Sequence, residues 1–165
     1  MIEFISKNRI FVWLINIHWF IFILLITLTI ILVNKLIFLI PVFNNISTPK
    51  EIKNIFEFGV IWACIILVVI IPLIETLIFQ TSIITAVMYF QSRLGYKNLT
   101  FPLIISSLIF GFAHAYSAEY VLAATIIGSL FAFFYLISIQ RKESQFIIIF
   151  SAHALVNLIA FLDYI

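Results

Sequence analysis

Charge is what this 165-residue sequence has least of: seven acidic and nine basic side chains, 10% of the chain. A soluble domain carries about 25% charged residues, so a dispersed globular protein is excluded. A formal charge of +2 leaves no dense basic patch for nucleic acid. The four glycines form no phosphate-cradling loop. Cys64 is the single cysteine, which excludes a disulfide framework and a cysteine metal site. Inside its apolar run it reads as a small packed hydrophobe. No soluble domain, internal repeat or low-complexity linker is visible.

What is present is apolar. Hydrophobic residues make up 65% of the chain, and the mean hydropathy is +1.27. One helical span needs about 20 apolar residues. The expected fold is therefore all-α, a polytopic transmembrane bundle of about five spans, within limits of four to six. Lys7 and Arg9 precede the apolar run 10–33, which is too long for a signal peptide and lacks a small-residue cleavage site, so it is expected as a retained first span. Residues 34–43, interrupted by Pro41, read as the end of a tilted first helix or an interfacial segment. The polar stretch 44–57 contains Thr48-Pro49, which reads as a helix start. A long second span, 58–90, contains Pro72 and must tilt, kink or project beyond the lipid. Further spans are expected at 101–115, 120–139 and 145–162, with Ser117 as a cap and Glu119 near the positive end of its helix. The chain divides into an N-terminal helix and polar loop, 1–57, and a core, 58–165.

The basic residues suggest an orientation. With the N-terminus in the cytoplasm, inner segments hold Lys7, Arg9, Arg93, Lys97, Arg141 and Lys142, whereas outer ones hold only Lys35, Lys50 and Lys53. This bias follows the positive-inside rule and puts the C-terminus outside.

Six of the seven acidic residues fall in loops or near chain ends; Glu75 lies inside an apolar helix. Burying it in lipid costs about 2.5–3.5 kcal/mol, so it should face protein or a wet cavity. Its bland alternative is a protonated acid making a structural hydrogen bond. His114 closes Phe110-x-x-x-His114, and His153 and Asn157 lie four apart on one helix face. His18 has no patterned partner and reads as packing or interface anchoring. One acid, two imidazoles and one amide on three apolar helices are better accommodated in one cavity than separately. Glu75 with His114 could hold and deprotonate a water, while His153 and Asn157 could donate to the oxyanion formed at an amide. Two His and one Glu also suit a divalent metal such as zinc, although His-Glu-x-x-His is absent. A proton path in a small transporter is a third use of the same groups.

The order Glu75, Phe110-x-x-x-His114, His153-x-x-x-Asn157 resembles the CPBP intramembrane proteases, which include type II CAAX prenyl endopeptidases and bacteriocin-processing or Abi proteins. The likeness covers about residues 72–161. It implies an endopeptidase acting on a hydrophobic or lipidated peptide in a prokaryotic cell membrane, with Glu75 and His114 activating water and His153 and Asn157 stabilising the oxyanion. The first motif departs from the family's Glu-Glu-x-x-x-Arg: Thr76 and Gln80 stand where the second Glu and the Arg would be. Both charges are lost together, and Thr and Gln retain hydrogen-bonding capacity. The same departure supports an alternative, a catalytically reduced relative acting as a membrane immunity or scaffold protein. In a straight antiparallel layout His114 lies near the outer end of its span and His153 about 12 Å from the inner end of its own. Bringing them together requires strong tilts or a third helix that begins deep in the membrane.

Overall fold

The computed structural model describes residues 8–43, 46, 49–96 and 98–165, and those residues form helices and turns without a strand. Lys7, Thr48 and Lys97, read above as a flank, a helix start and an inner charge, lie outside them. The helices are α1 (Arg9–Asn16), α2 (Trp19–Phe38), α3 (Lys50–Phe56), α4 (Val60–Arg93), α5 (Thr100–Ala113), α6 (Ala118–Ser138) and α7 (Gln145–Tyr164). Four of these, α2, α4, α6 and α7, are long and apolar enough to cross a membrane, and α5 is a shorter apolar helix. Outward-facing Leu28, Ile61 and Trp62 are exposed, as expected of side chains solvated by lipid.

The first span is not the continuous helix expected at 10–33. It breaks between Asn16 and Trp19, where the His18 Nδ1 accepts from the Phe20 N–H at 3.3 Å. The carbonyls exposed at this break are met by Arg141, whose guanidinium donates to Leu14 O and, at 2.7 Å, to Ile17 O. Its charge also lies 4.5 Å from the Phe22 ring centre and pairs with Glu143 at 3.1 Å. Arg141, counted above only as an inner-side charge, is therefore buried as a helix-end clamp. Beyond the break, α2 runs on to Phe38, and a short 3₁₀ turn covers Pro41–Phe43. Phe22, Ile26 and Ile30 of α2 pack with Phe131 and Tyr135 of α6 and Ile149 of α7 to form the main core.

Helix α4 has 34 residues and does not keep one helical register. Widened π-helical turns occupy Ile65–Ile70 and Thr76–Ile83, flanking the α-helical stretch Ile71–Glu75. Pro72 supplies a cause for the first, since it removes a backbone donor and crowds the preceding turn. Carbonyls in these stretches are taken by side chains. Asn157 donates to Leu67 O at 2.9 Å, and Ser106 donates to Phe79 O at 2.9 Å. The two disturbed segments thereby gain contacts with α7 and α5 while positioning Glu75 between them.

Helices α5 and α6 approach closely through glycine. A Cβ at Gly111 would collide with the Thr125 hydroxyl and lie 2.9 Å from Val121 O; one at Gly128 would lie 2.8 Å from Phe110 Cδ1. Small residues permit this contact in membranes, where close packing contributes much of the association energy. We expect Gly111→Ala to destabilise the protein by about 1–3 kcal/mol through overpacking. The check is the thermal midpoint in detergent, and an unchanged midpoint would contradict this packing.

Candidate active site

Glu75 is the last residue of the α-helical stretch between the two π segments, and His114 follows the final residue of α5. Helix α5 has 14 residues, or about 21 Å of rise, so it is too short to carry His114 across a whole bilayer from the opposite face. The depth mismatch expected of straight antiparallel spans is not realised, since His114 and His153 meet at one carboxylate. His153 lies midway along α7, and Asn157 is one turn later on the same face.

The structure brings Glu75, His114 and His153 into direct contact. His114 Nε2 lies 3.3 Å from one Glu75 carboxylate oxygen, and His153 Nε2 lies 3.4 Å from the other. His153 is buried, whereas the Glu75 and His114 side chains retain 18% and 17% exposure. That remaining exposure matters because all four sequence-selected residues line one cavity of about 410 Å³. The cavity is within the range that encloses a small ligand or peptide segment. Ile30, Asn34, Ile52 and Phe56 also line it, so both parts of the chain contribute walls. Phe56 of α3 stacks on Phe161 at 5.6 Å between ring centres and contacts Tyr164 at 4.6 Å.

Hydrogen bonds constrain the imidazoles. His114 Nδ1 lies 2.7 Å from Phe110 O. A carbonyl only accepts, so Nδ1 must carry the proton and donate it. Nε2, the other ring nitrogen, is left facing the Glu75 carboxylate oxygen. His153 Nδ1 lies 3.4 Å from Thr76 Oγ1. If the hydroxyl donates there, Nε2–H faces Glu75 and the cavity. Thr76, next to Glu75 in the sequence, is therefore a hydrogen-bonding neighbour of His153.

Gln80 does not meet the corresponding expectation. It is fully buried, and among the described residues neither its amide nitrogen nor its oxygen has a hydrogen-bond partner. The Asn157 side-chain amide donates to Leu67 O at 2.9 Å. Among the described residues, no group of three or more His, Cys, Asp or Glu is arranged to hold a metal ion. Each imidazole Nε2 instead faces its own carboxylate oxygen.

Aromatic supports around the site were not read from sequence. The Tyr120 ring stacks on His114 at 6.1 Å with an interplanar angle of 8°, and Phe131 lies 4.3 Å from the His153 ring centre. Tyr120 had a local signal: it stands three residues after Ser117, whose Oγ accepts its N–H at 3.1 Å. That cap starts α6 immediately beside the His114 turn. Phe131 had no comparable signal, being one apolar residue in an apolar span.

Residues 57–159 match the family described as Type II CAAX prenyl endopeptidase Rce1-like. No curated protein matches the chain, and no solved structure does. The family match spans more than half of the sequence and includes Glu75, His114, His153 and Asn157, so the chain belongs to the type II CAAX prenyl endopeptidase Rce1-like family.

Proposed function

We propose that this protein is an intramembrane endopeptidase that hydrolyses a peptide bond in a hydrophobic or lipidated peptide. The observation that carries this reading is one carboxylate contacted on each oxygen by a different imidazole, at 3.3 and 3.4 Å, at the wall of an apolar cavity. In the reaction Glu75 and His114 orient a water and take its proton as its oxygen bonds to the peptide carbonyl. His153 Nε2–H and an Asn157 N–H donate to the resulting oxyanion. Collapse breaks the C–N bond, and the proton held at Glu75 or His114 passes to the departing amine. Thr76 holds His153 through Nδ1, which supports retention of a working environment after loss of the second acid.

The unpartnered Gln80 amide favours the rival reading, a catalytically reduced membrane immunity or scaffold protein. Purified protein in detergent separates the two. Incubation with a peptide carrying a C-terminal lipid should release two fragments whose masses together exceed that of the substrate by one water, detected by mass spectrometry. An intact lipidated peptide, together with specific retention of a membrane partner, would favour the rival. The distribution of basic residues supports a cytoplasmic N-terminus and an outer C-terminus for the catalytic arrangement.

A further inference from the structure

Asn157 makes its hydrogen bond to Leu67 at a place where the helix cannot. The Ile71 N–H reaches back five residues to Ile66 O. In the same register the donor for Leu67 O would come from residue 72, which is a proline and has no N–H. The Asn157 amide nitrogen supplies that donor instead, at 2.9 Å. A primary amide has a second N–H fixed in the same plane, and Asn157 lines the cavity.

We propose that Pro72 is a positioning residue for Asn157: it frees the Leu67 carbonyl to hold one amide N–H, leaving the other directed toward the cavity. The proposal rests on the oxyanion role given to Asn157 above. It also explains the spacing along α7. His153 meets α4 at Glu75, while Asn157, one turn away on the same face, meets α4 at Leu67. These two ties set the carboxylate and the amide against the same cavity. An N–H at position 72 would compete for Leu67 O if the π register persisted. If the helix instead relaxed to α geometry, Ile71 N–H would take that carbonyl. Either change gives the Leu67 carbonyl a backbone donor that competes with Asn157 and weakens its hold.

The test uses full-length protein in detergent, labelled with ¹⁵N-asparagine, with Asn157→Leu identifying the side-chain signals. One Asn157 amide proton should exchange slowly, and Pro72→Ala should speed its exchange by at least about tenfold. Unchanged protection in folded Pro72→Ala would overturn the proposal, whether or not the protein cleaves peptide. In the cleavage assay Pro72→Ala should lower kcat by about 10- to 100-fold with little change in KM, as expected for misplacement of an active-site group. In an Asn157→Leu background the same change should cost less than about twofold, because the two residues act through one contact. Fully additive losses would contradict that coupling. Should Pro72→Ala alone fold poorly, the double variant remains decisive: the new N–H should raise the thermal midpoint of Asn157→Leu by satisfying Leu67 O, and no rise would overturn the assignment. Absence of wild-type cleavage with the expected exchange result would instead remove the protease reading while leaving the helix tie intact.

Discussion

Glu75→Gln is expected to lower kcat by about 10²–10⁴-fold, the range associated with loss of a positioned general base. The change keeps the side-chain length and one carbonyl oxygen, so the cavity walls and peptide contacts are retained. What disappears is an atom able to accept and hold the water's proton at the position flanked by His114 and His153. The loss should therefore appear in kcat, with KM within roughly twofold and an unchanged thermal midpoint. Cleavage equal to wild type would remove Glu75 from the mechanism. A matched fall in thermal midpoint would instead identify it as a buried structural acid.

His114→Ala carries the second-largest expected effect, about 10²-fold or more in kcat. The ring contributes in three directions at once: Nδ1 donates to Phe110 O, Nε2 faces Glu75, and one face stacks on Tyr120. Removing it eliminates the imidazole that faces Glu75 and leaves a ring-sized space beside a partly open cavity. Added imidazole should enter that space and restore a measurable part of the rate. Rescue separates a chemical role from a packing role, because an aromatic of similar size without a ring nitrogen should not substitute. Full activity in His114→Ala, or recovery with the nitrogen-free ring, would contradict the assigned function.

Much of this arrangement was legible because polar groups stand out sharply in an apolar sequence. Glu75 could be selected by the cost of placing it in lipid, His114, His153 and Asn157 by their convergence with it on three apolar helices, and the structure gathers all four around one cavity. The start at Gln145 was also accessible through the polar 140–144 turn, and Ser117 as a cap, although its helix begins at Ala118 and not at the expected residue 120. Less visible were features that depend on register. Pro72 announced a disturbance in α4, but sequence periodicity could not show that two π-helical stretches would flank Glu75. Nor could it show that Asn157 would bind the carbonyl Pro72 leaves free. Gly111 and Gly128 gave no periodic signal, because their role lies in how closely α5 and α6 approach rather than in any side chain. The break at residues 17–18 was hidden by continuous hydropathy, and the buried clamp formed by Arg141 by its position in a polar loop. Gln80 shows the converse limit: its hydrogen-bonding capacity was evident, but its lack of a protein partner was not.

The central claim is that Glu75 activates water and is not itself the attacking group. Peptide cleavage over many turnovers in ¹⁸O-water, followed by mass spectrometry of both product and enzyme, tests it most directly. The account predicts one ¹⁸O in the new product carboxylate and none in the enzyme fragment containing Glu75. Label in the Glu75 carboxylate would reveal a covalent acyl intermediate at that residue and contradict the mechanism.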